Sequence, residues 1–142
     1  MGNDTEILID DGAKEYTFKN LHGEVFAKFC FNPTDTGILD RYEGVVKFFE
    51  GIANSIASVA EDDMETEIKR LDKCIKEQFD LLCGKNVSDG LFSVYAPMTL
   101  FANGDFYAEV ALDKISSFIE KEMNVRLEKK KARIRKDIAK RK

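Results

Sequence analysis

The chain has 142 residues, 44% hydrophobic and 34% charged, with eleven Phe, no Trp and two Pro, which is the size of one domain and too apolar for a disordered chain. Its net charge of −4 conceals an asymmetry: residues 121–142 hold eleven Lys or Arg against three Asp or Glu, a net of +8, so residues 1–120 hold eleven against 23, a net of −12. No apolar run approaches the roughly eighteen residues of a membrane span, and the acidic residues 1–11 lack the basic-then-apolar order of a signal peptide, so a cytoplasmic protein with no membrane partner is expected.

Residues 1–31 read as a small antiparallel meander of about three strands. Ile7-Leu8-Ile9 is a short strand closed by the turn signal Asp10-Asp11-Gly12. Residues 14–19 alternate, with Tyr16 and Phe18 on one face, and Asn20-Leu21-His22-Gly23 makes the next turn. Residues 24–31 place Val25, Ala27, Phe29 and Phe31 on one side and Phe26, Lys28 and Cys30 on the other, so one face needs helices packed on it.

Three main helices are expected after that. Ile38, Tyr42, Val45, Phe49, Ile52 and Ile56 recur at the helical period in a segment running to about Val59. Gly37, Gly44 and Gly51 recur every seven residues along its flank. Close packing on the sheet, or a broken helix, explains them better than the approach of a partner backbone. Met64, Ile68, Leu71, Ile75, Phe79 and Leu82 define a second helix that Gly84 ends. Residues 85–105 read as a long apolar loop with room for one short helical turn, since Pro97 interrupts any regular element. The last helix starts near Asp105 with Leu112, Ile115, Ile119, Met123, Leu127, Ile134 and Ile138 in its stripe, coiled-coil-like at its end, where isoleucines sit among lysines and arginines. The expected whole is an α+β single domain: a meander over 1–31, a helical part over 34–123 and a basic helical tail over 124–142.

Catalytic signals are missing. His22 stands alone in a turn, so no histidine metal cluster can form. Gly84-Lys85 is followed by Asn86, not by the Ser or Thr of a phosphate loop. Cys30, Cys74 and Cys83 contain no C-x-x-C pair, and the latter two lie roughly 13 Å apart along one helix, too far for a disulfide. Buried, reduced thiols are expected, with no cofactor, no metal and no enzymatic activity.

Two binding readings remain. Phe92, Tyr95, Met98, Phe101 and Tyr107 form a candidate protein-binding surface, provided that the aromatic loop is exposed rather than tucked over the core. On that reading Phe92→Ser with Phe101→Ser weakens partner binding and spares the fold. Lys129, Lys130, Lys131, Arg133, Arg135 and Lys136 form a candidate contact for an acidic partner, for nucleic acid as the runner-up, or for self-association.

Residues 15–20 (Glu-Tyr-Thr-Phe-Lys-Asn), residues 29–35 (Phe-Cys-Phe-Asn-Pro-Thr-Asp), Arg41-Tyr42 and Asn103-Gly104-Asp105-Phe106-Tyr107 leading into Val110, Leu112 and Ile115 resemble small proteins of prophage tail-morphogenesis clusters in Gram-positive bacteria. That resemblance, covering about residues 14–123, implies a tail-assembly chaperone: strands followed by a helical bundle, binding a long tape-measure-like tail protein without catalysis. The long basic tail departs from the pattern.

Overall fold

The computed structural model describes residues 5–84 and 86–141. Residues 1–4 of the acidic start, Lys85 of the Gly84-Lys85 pair and Lys142 of the basic run lie outside them. The architecture is α+β, with a two-stranded antiparallel sheet and four α-helices among the described residues.

Strand β1 (Lys14–Lys19) pairs with β2 (Val25–Phe31), setting Tyr16 opposite Phe29 and Phe18 opposite Ala27. Asn20 closes the turn, its side-chain oxygen accepting from the His22 and Glu24 amides, and Gly23 supplies the φ of +81°. Alternation decides the faces: Ala27, Phe29 and Phe31 are buried, whereas Lys28 and Cys30 point outward. The exposed Cys30 corrects the expectation of three buried thiols. Cys83 fits it better, since burial pushes its thiol up to about 12.

The expected third strand is not there. Ile7, Leu8 and Ile9 are 80%, 101% and 79% exposed and pair with no strand. Aliphatic β-propensity acts only when a neighbouring strand offers a ladder. Here the carboxylates of Asp10 and Asp11 instead accept from the amides of Gly12 and Ala13, forming two successive local turns.

Helix α1 (Gly37–Ser58) buries Ile38, Val45 and Ile52, and packs Tyr42, Phe49 and Ile56 against the same core. It is unbroken, and a Cβ at Gly44 or Gly51 would meet nothing within 4 Å. Neither sheet packing nor a helix break therefore explains the glycine recurrence. A 3-10 turn, Glu61–Asp63, leads into α2 (Met64–Cys83), which buries Leu71, Ile75, Phe79 and Leu82. Helix α3 (Val87–Leu91) is a short helical turn within the 85–105 loop, at its start. It lies so close to β2 that a Cβ at Gly90 would run into the Lys28 carbonyl oxygen. Gly90 thus permits a close helix–strand contact.

Helix α4 (Tyr107–Arg141) has 35 residues and so runs about 52 Å without interruption. Its first half supplies Ala108, Ala111, Leu112, Ile115 and Ile119 to the core. From Leu127 to Lys140 every residue is exposed.

Candidate functional site

The aromatic side chains ahead of α4 turn inward. Phe92, Met98 and Tyr107 are 7%, 6% and 0% exposed, and Tyr95 and Phe101 are half-buried against them. Phe101 stacks on Tyr107 with ring centroids 5.0 Å apart, while Phe92 stands edge-on to Phe79 and Tyr107 at 5.2 and 5.4 Å. Phe26 of β2 closes the cluster against Tyr95, Phe101 and Tyr107.

The backbone of an irregular segment can enter a core only if its polar groups find partners. Asp72 of α2 accepts from the Met98 amide at 2.9 Å, and Asp80 accepts from the Ser88 amide and hydroxyl at 2.8 Å each. The amides of Tyr107 and Ala108 donate to the Thr99 and Pro97 carbonyls. The Tyr107 hydroxyl donates to the Leu91 carbonyl at 2.6 Å, and burial holds it well above the ordinary phenol range. Of the two placements open to Phe92, Tyr95, Met98, Phe101 and Tyr107, the fold takes the one tucked over the core: these residues hold the sheet, α2, α3 and α4 together.

The open apolar surface lies elsewhere, between α1 and α4. At one end a groove of about 540 Å³ is lined by Ile38, Leu39, Tyr42, Ile119, Met123 and Leu127, among others. At the other, Phe49, Ile52, Ala53, Ile56 and Ala57 face Phe106 and Glu109 across a smaller cleft. The start of α1 thus meets the middle of α4, and its end meets the start of α4, so the two helices run antiparallel. The Tyr42 hydroxyl and Ser116 Oγ bridge them at 2.7 Å.

The rims of this groove are acidic. Leu39, Glu43, Val46, Glu50, Ala53 and Ala57 follow at spacings of four, three, four, three and four, so Glu43 and Glu50 stand on the α1 edge. Glu109, Asp113 and Glu120 are spaced four and seven apart and line the α4 edge. All five carboxylates are exposed. Lys114 sits on the other flank of α4, beside Phe18 and Phe118.

Past the groove, the stripe continues onto the free part of α4. Leu127, Ile134 and Ile138 lie within about 40° of one another around the helix and are 47%, 46% and 50% exposed. The cations at Lys129, Lys130, Lys131, Arg133, Arg135 and Lys136 surround that stripe and are all solvent-exposed. The structure therefore gathers the basic residues on one exposed rod, apart from the aromatic residues ahead of α4.

Sequence reading missed the joint that fixes this rod. Arg126 donates to Thr34 Oγ1 at 2.6 Å, Asn32 Oδ1 at 3.3 Å and the Gly12 carbonyl at 2.8 Å. Glu122, one turn earlier, accepts from Lys14 Nζ at 2.7 Å, and that bond holds its carboxyl below the ordinary range. Asn32 in turn donates to the Asp11 carbonyl. Helix α4 is thus tied to both ends of the strand region. In the sequence Asn32 and Thr34 signal only a strand stop and a helix cap, and nothing local couples them to a residue more than ninety positions away.

Among the described residues no cluster of His, Cys, Asp or Glu could hold a metal ion, and no helix is long and apolar enough to cross a membrane. No family model, curated protein or solved structure matches the chain.

Proposed function

We propose that the protein is a non-catalytic binding factor that holds an amphipathic helix of an elongated protein partner, and that it serves as a prophage tail-assembly chaperone whose client is a tape-measure-like tail protein. The observation that carries the binding reading is the α1–α4 groove, with its apolar floor and carboxylates on both rims. A helix seated there would bury an apolar stripe and set flanking Lys or Arg against Glu43, Glu50, Glu109, Asp113 and Glu120. The particular client follows from the resemblance of residues 14–123 to tail-morphogenesis proteins. A long helical protein awaiting assembly exposes such stripes, and shielding them needs a surface rather than a reaction.

Co-expression with the tape-measure-like protein of the same gene cluster tests this reading. The client should stay soluble and co-purify with the wild-type protein but not with Leu39→Lys, whose site is 61% exposed and so tolerates the change. A client that stays insoluble in both cases contradicts the chaperone reading. Recovery instead of nucleic acid that elutes steeply with salt would transfer the function to the cations of the free α4 segment, which stand on a regular, exposed helix.

A further inference from the structure

The free part of α4 has the chemistry that the groove selects. Its stripe of Leu127, Ile134 and Ile138 is apolar and its flanks are cationic, whereas the groove has an apolar floor and anionic rims. The tail cannot serve its own groove, because it continues in a straight helix away from the wall that α4 itself provides. Tail against tail alone would oppose two strongly cationic surfaces. A solvated helix of about fourteen residues is also marginal in water without a surface to pack on.

We propose that two copies of this chain pair about a two-fold axis near Leu127, each inserting its tail into the α1–α4 groove of the other. In an antiparallel pair centred on Leu127, Ile134 falls opposite Glu120 and Ile138 opposite Ser116. Both isoleucines then meet the floor formed by Tyr42, Ile119 and Met123. Residues 128–141 extend about 21 Å and run against residues 113–126 of the other copy's α4, which covers the Leu39 and Tyr42 end of the groove. The interface is self-complementary, as a two-fold contact requires, and the cations beside each isoleucine run along the carboxylates of the opposite rim. The pairing does not depend on the chaperone reading, since it needs no other protein. If both hold, the partner copy's tail occupies the groove until a client helix displaces it.

Sedimentation equilibrium of the purified full-length chain, alone and at low ionic strength, tests the pairing. The expected species is a dimer whose dissociation constant rises about tenfold or more in 0.5 M salt, because close charges are screened. Ile134→Asp, deletion of residues 128–142, and Leu39→Lys should each give monomers whose circular dichroism melting matches that of the wild type in dilute, high-salt solution, where it too is monomeric. Two charge reversals sharpen the test: Lys130→Glu with Lys131→Glu on the tail, and Glu43→Lys with Glu120→Lys on the rim. Each variant alone should be monomeric, and the two mixed should form a one-to-one heterodimer. A wild-type chain that stays monomeric at about 100 µM, a dimer that survives loss of residues 128–142, or reversals that fail to rescue each other would overturn the proposal.

Discussion

The aromatic segment over residues 92–107 and the basic rod over 127–141 look equally suited to a partner in sequence, yet the fold treats them oppositely. The first is irregular, so its backbone groups must be satisfied from outside, and Asp72, Asp80 and the start of α4 satisfy them. Once that cost is met, its rings pack against Phe26 and Phe79 and become the joint between sheet and helices. The second is a helix, which satisfies its own backbone and can leave the body without an orphaned donor. What the comparison teaches is that aromatic content alone does not mark a binding surface. An exposed regular element with a half-buried stripe is the better indicator, and the α1–α4 groove shares that stripe.

The largest effects are expected at the aromatic joint. Phe92→Ser should cost about 3–5 kcal/mol of stability in urea unfolding, since it empties a ring-sized space among Phe79 and Tyr107. Gly90→Ala should also destabilise, by about 1–3 kcal/mol, as α3 is pushed off the Lys28 carbonyl. Unfolding curves unchanged in both variants would return the aromatic segment to the surface.

Truncation gives an intermediate effect and locates where body ends and rod begins. Removal of everything after Met123 takes Arg126 away and leaves Gly12, Asn32 and Thr34 without its guanidinium, a loss of about 1–3 kcal/mol. Removal after Leu127 retains the clamp and, in dilute, high-salt solution where the copies are apart, should change stability by no more than about 0.5 kcal/mol. Equal stability of the two truncations would show that Arg126 holds nothing.

A smaller effect is expected from pH. The bond from Lys14, with the Lys14 and Arg126 charges, keeps the Glu122 carboxyl below its ordinary value of 4.5. A folded value below the unfolded one means that the group stabilises fully above the unfolded value and loses its contribution as pH falls through the folded one. The difference in stability between wild type and Glu122→Gln should therefore be constant near neutrality and shrink below pH about 4.5. A difference that grows on acidification would refute the ion pair.

Regular elements were legible in the sequence because period and punctuation specify them locally. The residue 14–19 strand matches β1, and the Ile38 and Leu71 stripes lie on α1 and α2, with Gly84 ending the latter at a φ of +120°. Most of what was not legible shares one physical cause, dependence on partners distant in the chain. Ile7-Leu8-Ile9 has the composition of a strand but lacks a neighbour to pair with. Whether Phe92 and Tyr107 face inward depended on carboxylates of α2. The acidic rims emerge only when α1 and α4, some seventy residues apart, are laid side by side. Cys30 is the exception, since strand alternation alone turns it away from the buried face of Phe29 and Phe31.

Hydrogen–deuterium exchange of the full-length protein, resolved to short peptides by mass spectrometry, bears most directly on the division between interior joint and surface rod. The amides of Phe92, Met98, Phe101, Tyr107 and Ala108 should exchange only on global unfolding, with residues 130–141 faster by orders of magnitude in dilute, high-salt solution. Rapid exchange over 92–107, comparable with that of the rod, would contradict it and restore the aromatic segment as the candidate binding face.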